Sequence, residues 1–407
     1  MAAAIAEHSR TASTAGIVIA LCFAVAIPEG YDLQAIGVAA PRLIPALHLA
    51  KAQTGWAFSA SLFGLIVGAM IGGWLADRVG RKPVLVASVA AFGVFTLATM
   101  LSTDFTSLFA WRFTTGLGLG GAMPNLIAMA REISSPQRRA LTSSMMFAAL
   151  PVGGAAAALF ARYGAHDWRA IFLLGGTVPL ALAVLVAWTL PETLPAGETR
   201  ADPREAGLDR NTLAALFADG RAAATLSLWL AFILTNIIVY LLLNWLPTLA
   251  VAKGLGSASA LFTSVGFNLG GIAGALLLAL AVDRLGPRAP MAIGYASLVA
   301  VMIALALAHG FILIVILSAA GGFLVLGVQY VLYGLTPSYY PAETRGATAG
   351  AAVGVGRVGS IMGPLVAGSL LSAGASASAV AFSMAPVALA AGATVLLLTF
   401  VGRAHSD

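Results

Sequence analysis

Charge is what this chain has least of. Only 9% of its 407 residues are Asp, Glu, Lys or Arg, against about 25% in a soluble domain, and that shortage excludes an ordinary water-soluble design. Cysteine is scarcer still: Cys22 stands alone, so no intrachain disulfide can form and the redox compartment is left open. His8, His48, His166, His309 and His405 all fall near the ends or between apolar runs, which excludes a histidine relay inside the runs. No Cys/His cluster has the spacing of a metal site, and no nucleophile elbow or nucleotide-binding loop argues for chemistry or ATP hydrolysis. No cofactor and no metal is therefore expected. The stretch "TGLGLGG" (Thr115–Gly121) has the look of a phosphate cradle. Yet no strand precedes it, and glycines inside an apolar run more often permit close helix contact.

Apolar runs are what the chain has in abundance. It is 60% hydrophobic, with mean hydropathy +0.94. A bilayer core takes about 20 apolar residues per helix, and that ruler gives twelve spans. They lie near 16–39, 55–76, 84–102, 107–130, 140–162, 168–190, 223–247, 259–281, 289–308, 311–335, 345–372 and 377–401. The first is too long for a signal-peptide core and is expected to stay in place. The formal charge of +6 does not point to nucleic acid, because the basic residues gather in short loops. With twelve spans both ends share one side. On that side 15 Lys and Arg fall, against 5 on the other. Basic loops stay in the cytoplasm, so both termini are expected there, in an all-α bundle embedded in lipid, of the kind found in a bacterial inner membrane. The polar segment Pro191–Thr212 separates spans six and seven, which divides the chain into 1–190, a cytoplasmic linker at 191–222, and 223–407.

The two parts echo each other at an offset of 206 residues. "LADRVGRK" (Leu75–Lys82) matches "AVDRLGPR" (Ala281–Arg288), and "PQRRALT" (Pro136–Thr142) matches "AETRGAT" (Ala342–Thr348). Two copies of a six-span unit are a mark of secondary transporters, whose sites form where the repeats meet.

The loop "GGWLADRVGRKPVL" contains Gly73–Lys82 in the pattern G-x-L-A-D-R-x-G-R-K, and here the chain resembles the major facilitator superfamily. "RFTTGLGLGGAMPN" (Arg112–Asn125) is similar to that family's fourth helix, and "YPAETRGATAGAAVGVGRVGSIMGP" (Tyr340–Pro364) to its eleventh. Adding "EGYDLQAIGVAAP" narrows the likeness to the aromatic acid:proton symporters, and within them to the 3-(3-hydroxyphenyl)propionate permeases, over nearly the whole chain. Many members of that wider group read D-G-x-D where this chain reads Glu29-Gly30-Tyr31-Asp32, and the departure makes a benzoate-type substrate a poorer fit. The resemblance implies two pseudo-symmetric six-helix bundles, a monomer, protons and a small aromatic carboxylate as partners, and no enzymatic activity.

Glu29 and Asp32, three apart, share one helix face. They lie about 13 and 9 Å from the outer end of the first span at 1.5 Å per residue. A bare carboxylate there costs several kcal/mol unless paired or protonated, and the resemblance assigns both positions to proton coupling. Arg112 sits at a depth close to Asp32 and is expected to hold the acids of the first span. Arg357 sits deeper, close to Glu29, and a guanidinium grips a carboxylate with two parallel hydrogen bonds, which makes it the choice for the substrate's acid. Asn236, Tyr240 and Asn244 form a stripe on span seven, and Gln329, Tyr330 and Tyr333 a second set on span ten. With Asn125 and Asn268 these are candidates to line a substrate site, although a lone polar residue in a span is more often helix–helix glue. The resemblance makes Gly73, Asp77, Arg78, Gly80, Arg81 and Lys82, joined by Arg131 and Glu132, a cytoplasmic gate in which the acid meets a helix N-terminus. A competing expectation is an exporter working by proton antiport, suggested by "LPVGG" (Leu150–Gly154), which lacks the leading glycine of the exporter pattern. A sensor or membrane enzyme would need a soluble domain or clustered catalytic residues, and neither is visible.

Overall fold

The computed structural model describes residues 2–134, 139–165, 167–190, 192, 216–218, 220–340 and 345–400. Among them run twelve long helices: α1 (Ala2–Ala46), α2 (Lys51–Val79), α3 (Arg81–Ala98), α4 (Phe105–Ile133), α5 (Arg139–Tyr163), α6 (Trp168–Thr189), α7 (Ala222–Ala252), α8 (Ser257–Leu285), α9 (Arg288–Leu307), α10 (Phe311–Leu335), α11 (Arg345–Ser372) and α12 (Ala377–Phe400). The polar linker expected at 191–222 lies outside the described residues except for Glu192, 216–218 and 220–222.

Eleven of the helices are long and apolar enough to cross a membrane. The exception, α4, carries Arg112 and a run of threonines and glycines. It is enclosed by α1, α2, α3 and α5, and a helix walled by protein has no need of an apolar surface all round. Elsewhere large apolar side chains stand exposed, Met70, Trp188, Leu276 and Ile312 among them, a surface suited to lipid and costly in water. The chain forms an integral, multi-pass membrane protein.

Helix ends fall close to the expected positions except on α1, which continues past Pro41 and Pro45 to Ala46. Tertiary contacts carry it further. Leu43 is fully buried, and Arg42 donates to the Ala161 and Ala165 carbonyls at the end of α5, at 3.2 and 2.6 Å.

Helix pairing repeats along the chain. In the first part α1 packs on α5 and α6, α2 on α4, and α3 on α4 and α6; six helices later α7 packs on α11 and α12, α8 on α10, and α9 on α10 and α12. Between the two sets α1 meets α7, α2 meets α11, and α5 meets α8. The repetition reaches single atoms. A Cβ on Gly64 would collide with the Phe113 carbonyl and one on Gly116 with that of Ser61; 206 positions on, Gly270 meets Ala319 and Gly322 meets Phe267 in the same way. "TGLGLGG" is thus a packing surface, as expected. The turns after α2 and α8 use Gly80 at φ 97° and Gly286 at φ 75°, a region where a side chain is strained.

Some of the contacts joining the two sets involve the second half of α1 and the start of α2. There Ser59 donates to the Ile361 carbonyl at 2.9 Å, the Phe58 and Trp245 rings meet edge to face at 5.0 Å, and Gly37 abuts the backbone of Asn244.

Gly116→Val forces the α2–α4 crossing apart, and overpacking of this kind costs about 1–3 kcal/mol or more. The expected outcome is a several-fold loss of the monodisperse peak in size-exclusion chromatography of detergent extracts. Gly350→Ala, with nothing within 4 Å of the added carbon, should leave that peak unchanged.

Candidate functional site

Seven helices leave a cavity between them. Glu29, Leu33 and Gln34 of α1 line it, with Met123 of α4, Phe147 and Leu150 of α5, Val239, Tyr240 and Leu243 of α7, Asn268 of α8, Gln329, Tyr330 and Tyr333 of α10, and Arg357 of α11. About 70 Å³ of it is open to the centres of water-sized spheres, several times the ~10–15 Å³ that one water needs. Apolar and aromatic walls with a few convergent polar groups are the usual make-up of a small-molecule site.

The quoted stretch Glu29-Gly30-Tyr31-Asp32 distributes its side chains around α1. Gly30 lets the Leu150 backbone approach, and the Tyr31 hydroxyl donates to the Ile171 carbonyl of α6 at 3.0 Å. Asp32, fully buried, turns to α4. Arg112 grips it with Nη1 on Oδ1 and Nη2 on Oδ2, both at 2.9 Å, and adds a bond to the Asp32 carbonyl at 3.2 Å. Thr96 Oγ1 donates to Oδ1 at 2.9 Å. This is a closed, bidentate pair of the strong type. Asp32 is absent from the cavity lining, and Glu29 is part of it.

Glu29 is in a different state. It is 3% exposed, and its Oε2 has no hydrogen-bond partner among the described residues. Arg357 lines the same space and donates from Nη1 to the Tyr240 hydroxyl at 3.2 Å, without pairing with Glu29. One carboxylate and one guanidinium therefore share a cavity without a direct ion pair between them, an expensive arrangement in a low-dielectric interior.

Of the other expected lining residues, Tyr240, Asn268, Gln329, Tyr330 and Tyr333 reach the cavity and three do not. Asn125 donates to the Gly121 carbonyl of its own helix, and Asn244 to the Tyr240 carbonyl, each closing an i, i−4 bond. Asn236 lies behind the wall, bonded to the Gly356 carbonyl and to Gln329. Of the polar and aromatic lining residues, two were not picked out in the sequence. Gln34 forms a reciprocal amide pair with Asn268, each nitrogen 2.8 Å from the other's oxygen; its signal was a third polar side chain in "EGYDLQ". Phe147 stacks on Tyr333 at 5.7 Å and accepts at its carbonyl from the Tyr330 hydroxyl at 3.3 Å. A phenylalanine in an apolar run gives no signal at all.

In the last turn of α2, Asp77 is exposed and Arg78 lies over the Trp74 ring at 3.7 Å. The carboxylate on a helix N-terminus here is that of Glu192, which accepts from the Arg81 and Lys82 backbone nitrogens at 3.0 and 3.1 Å. The acid expected in that role was Asp77; Glu192 follows α6 directly and reaches the first turn of α3. The Arg131 and Glu132 side chains lie outside the described residues.

The twelve-helix fold and its central polar cavity define a membrane transport protein. The sequence profile of the Major Facilitator Superfamily matches residues 21–337, and the chain belongs to that family, whose members are transporters and not enzymes. It is 41% identical to the 3-(3-hydroxy-phenyl)propionate transporter of Escherichia coli (strain K12), over 96% of this chain and 95% of the relative. It is 33% identical to the gallate transporter of Pseudomonas putida, over 88% and 86%, and 33% identical to a 4-hydroxybenzoate transporter of Pseudomonas aeruginosa, over 96% and 93%. Among solved structures, a D-xylose–proton symporter superposes with TM-score 0.75 at 17% identity, covering 95% of this chain and 98% of that one. A bacterial homologue of the human lysosomal transporter Spinster superposes with TM-score 0.76 at 18% identity, covering 96% and 99%.

Arg112→Gln strands a buried charge on Asp32, a change that costs about 3–5 kcal/mol. The melting temperature of the purified protein in detergent should fall clearly, and the double variant Asp32→Asn, Arg112→Gln should recover part of the loss.

Proposed function

We propose that the protein is a proton-coupled importer of an aromatic carboxylate, hydroxyphenylpropionate-like, working by alternating access between two six-helix bundles, 1–190 and 223–407, joined by the linker at 191–222. The observation that carries this reading is Glu29, unpartnered and facing the same cavity as Arg357. Arg357 takes the substrate's carboxylate, with Tyr240 beside it, and the Phe147, Tyr330 and Tyr333 rings flank the aromatic body. Glu29 takes a proton from outside, so that the loaded cavity carries one negative charge fewer when the bundles rock. Asp32 belongs to the same cycle through Arg112: protonating it weakens the clasp between α1 and α4. The repeated helix pairing supports the two-bundle division, and the named cargo of the curated relatives supports the substrate class.

With both termini in the cytoplasm, the contacts of Ser59, Phe58 and Gly37 seal the outer side. The Phe147–Tyr333 stack then closes the cytoplasmic side of the cavity. The gating loop acts as the cytoplasmic latch, with Asp77 free to engage once the bundles rock. The protein acts as a monomer in a bacterial cell membrane, and no residue set here favours export over uptake.

Uptake of labelled 3-phenylpropionates, hydroxybenzoates, benzoate, muconate and a sugar should single out the phenylpropionates, rise as outer pH falls, and collapse with a protonophore. Uptake indifferent to the imposed proton gradient would remove symport. Glu29→Gln should abolish accumulation against a gradient while sparing counterflow, and accumulation at the unmodified level in that variant takes Glu29 out of the mechanism.

A further inference from the structure

We infer that Gln329 is the group that reads a hydroxyl on the substrate's ring, its side-chain oxygen held toward the cavity as an acceptor by hydrogen bonds that start at a backbone carbonyl. The inference rests on the reading of the cavity as an aromatic-acid site and concerns which acids it prefers.

Shape alone does not orient an amide, because its oxygen and nitrogen are alike in outline. Here the partners decide. The Gly356 carbonyl can only accept, so the atom of Asn236 that lies 3.1 Å from it is Nδ2. Asn236 Oδ1 must then face Gln329, where it lies 2.7 Å from a nitrogen, Nε2. The same Nε2 reaches the Tyr333 hydroxyl at 3.2 Å. Both of its hydrogens are now used, and Oε1 has no donor among the described residues. Gln329 is 7% exposed and lines the cavity, so this is a nearly buried polar group with an open acceptor. Gly356 makes the arrangement possible, since a Cβ there would come within 2.9 Å of Asn236 Nδ2 and 3.0 Å of the Phe232 Cβ.

Among the cavity's neutral amides and hydroxyls Gln329 Oε1 is the open acceptor; the other open acceptor is the Glu29 carboxylate, which the transport reading gives to a proton. Gln34 and Asn268 satisfy one another, the Tyr330 hydroxyl gives its proton to the Phe147 carbonyl, and the Tyr240 hydroxyl meets Arg357. An open acceptor in a nearly buried site favours a ligand O–H and disfavours a carboxylate, which has no hydrogen to offer. The acid end is thereby directed to Arg357 and the hydroxylated ring toward Gln329. A site built around a substrate hydroxyl discriminates against the analogue lacking it, because its own polar group is otherwise left unpaired.

The test compares 3-(3-hydroxyphenyl)propionate with 3-phenylpropionate, which share a carboxylate and differ by one hydroxyl. The unmodified protein should favour the hydroxylated acid in kcat/KM for uptake. Gln329→Leu should cut that preference about tenfold, the worth of one neutral hydrogen bond, by weakening the hydroxylated acid alone. Asn236→Leu, outside the cavity wall, should do the same, because Gln329 is then free to turn; a merely structural role for Asn236 would depress both acids together. Size-exclusion profiles confirm folding, and Gln329→Met replaces the leucine variant should that one aggregate. An unchanged ratio, or equal losses for the two acids, overturns the assignment of Gln329 while leaving the transport reading intact. Failure of the unmodified protein to take up either acid sinks the transport reading instead.

Discussion

A charged side chain inside a membrane protein must find an opposite charge, a hydrogen-bond shell or a proton. This chain applies that constraint twice, with opposite results. At Asp32 the demand is met completely: Arg112 supplies two parallel bonds and Thr96 a third, and the pair joins α1 to α4 without reaching the cavity. One turn away, Glu29 is left with an open oxygen in the space that Arg357 also faces. The first pair is a bidentate joint between α1 and α4. The second is an unsettled one, and in the proposed cycle a carboxylate-bearing ligand and a proton settle it.

The scaffold around that space is set by close helix approach. Glycines at matching positions in the two parts bring α2 onto α4 and α8 onto α10 by the same backbone contacts. A side chain at any of them would push a helix outward and move the walls of the cavity with it. Because the two parts meet chiefly through α1–α7, α2–α11 and α5–α8, the cavity lies where both contribute a wall: the acid from α1, the guanidinium from α11, the rings from α5, α7 and α10.

The likeness of this chain to transporters of hydroxylated aromatic acids fits a pocket with three tyrosines, one phenylalanine and a single guanidinium. In the proposed reading the charges set where an acid lies, and discrimination among acids falls to neutral groups oriented from behind, as Asn236 orients Gln329. Such groups show nothing of their role in composition or spacing.

The sequence by itself determined the twelve helices, because a run of apolar residues has one way to satisfy its backbone in lipid. It also showed which charges would lie within the helices, and rise per residue put Arg112 at the depth of Asp32, which it grips, and Arg357 near that of Glu29, with which it shares a cavity without pairing. Only the tertiary structure decided where each polar side chain points. Asn244 shares a helical face with Tyr240, yet its amide bonds back to the Tyr240 carbonyl, and Asn125 closes a similar bond on its own helix. Phe147 gave no sign at all, and the acid that caps α3 is Glu192, 111 positions from Arg81. Spacing along one helix fixes the face a residue occupies, whereas the partner on that face comes from another helix, and no local pattern encodes which one arrives.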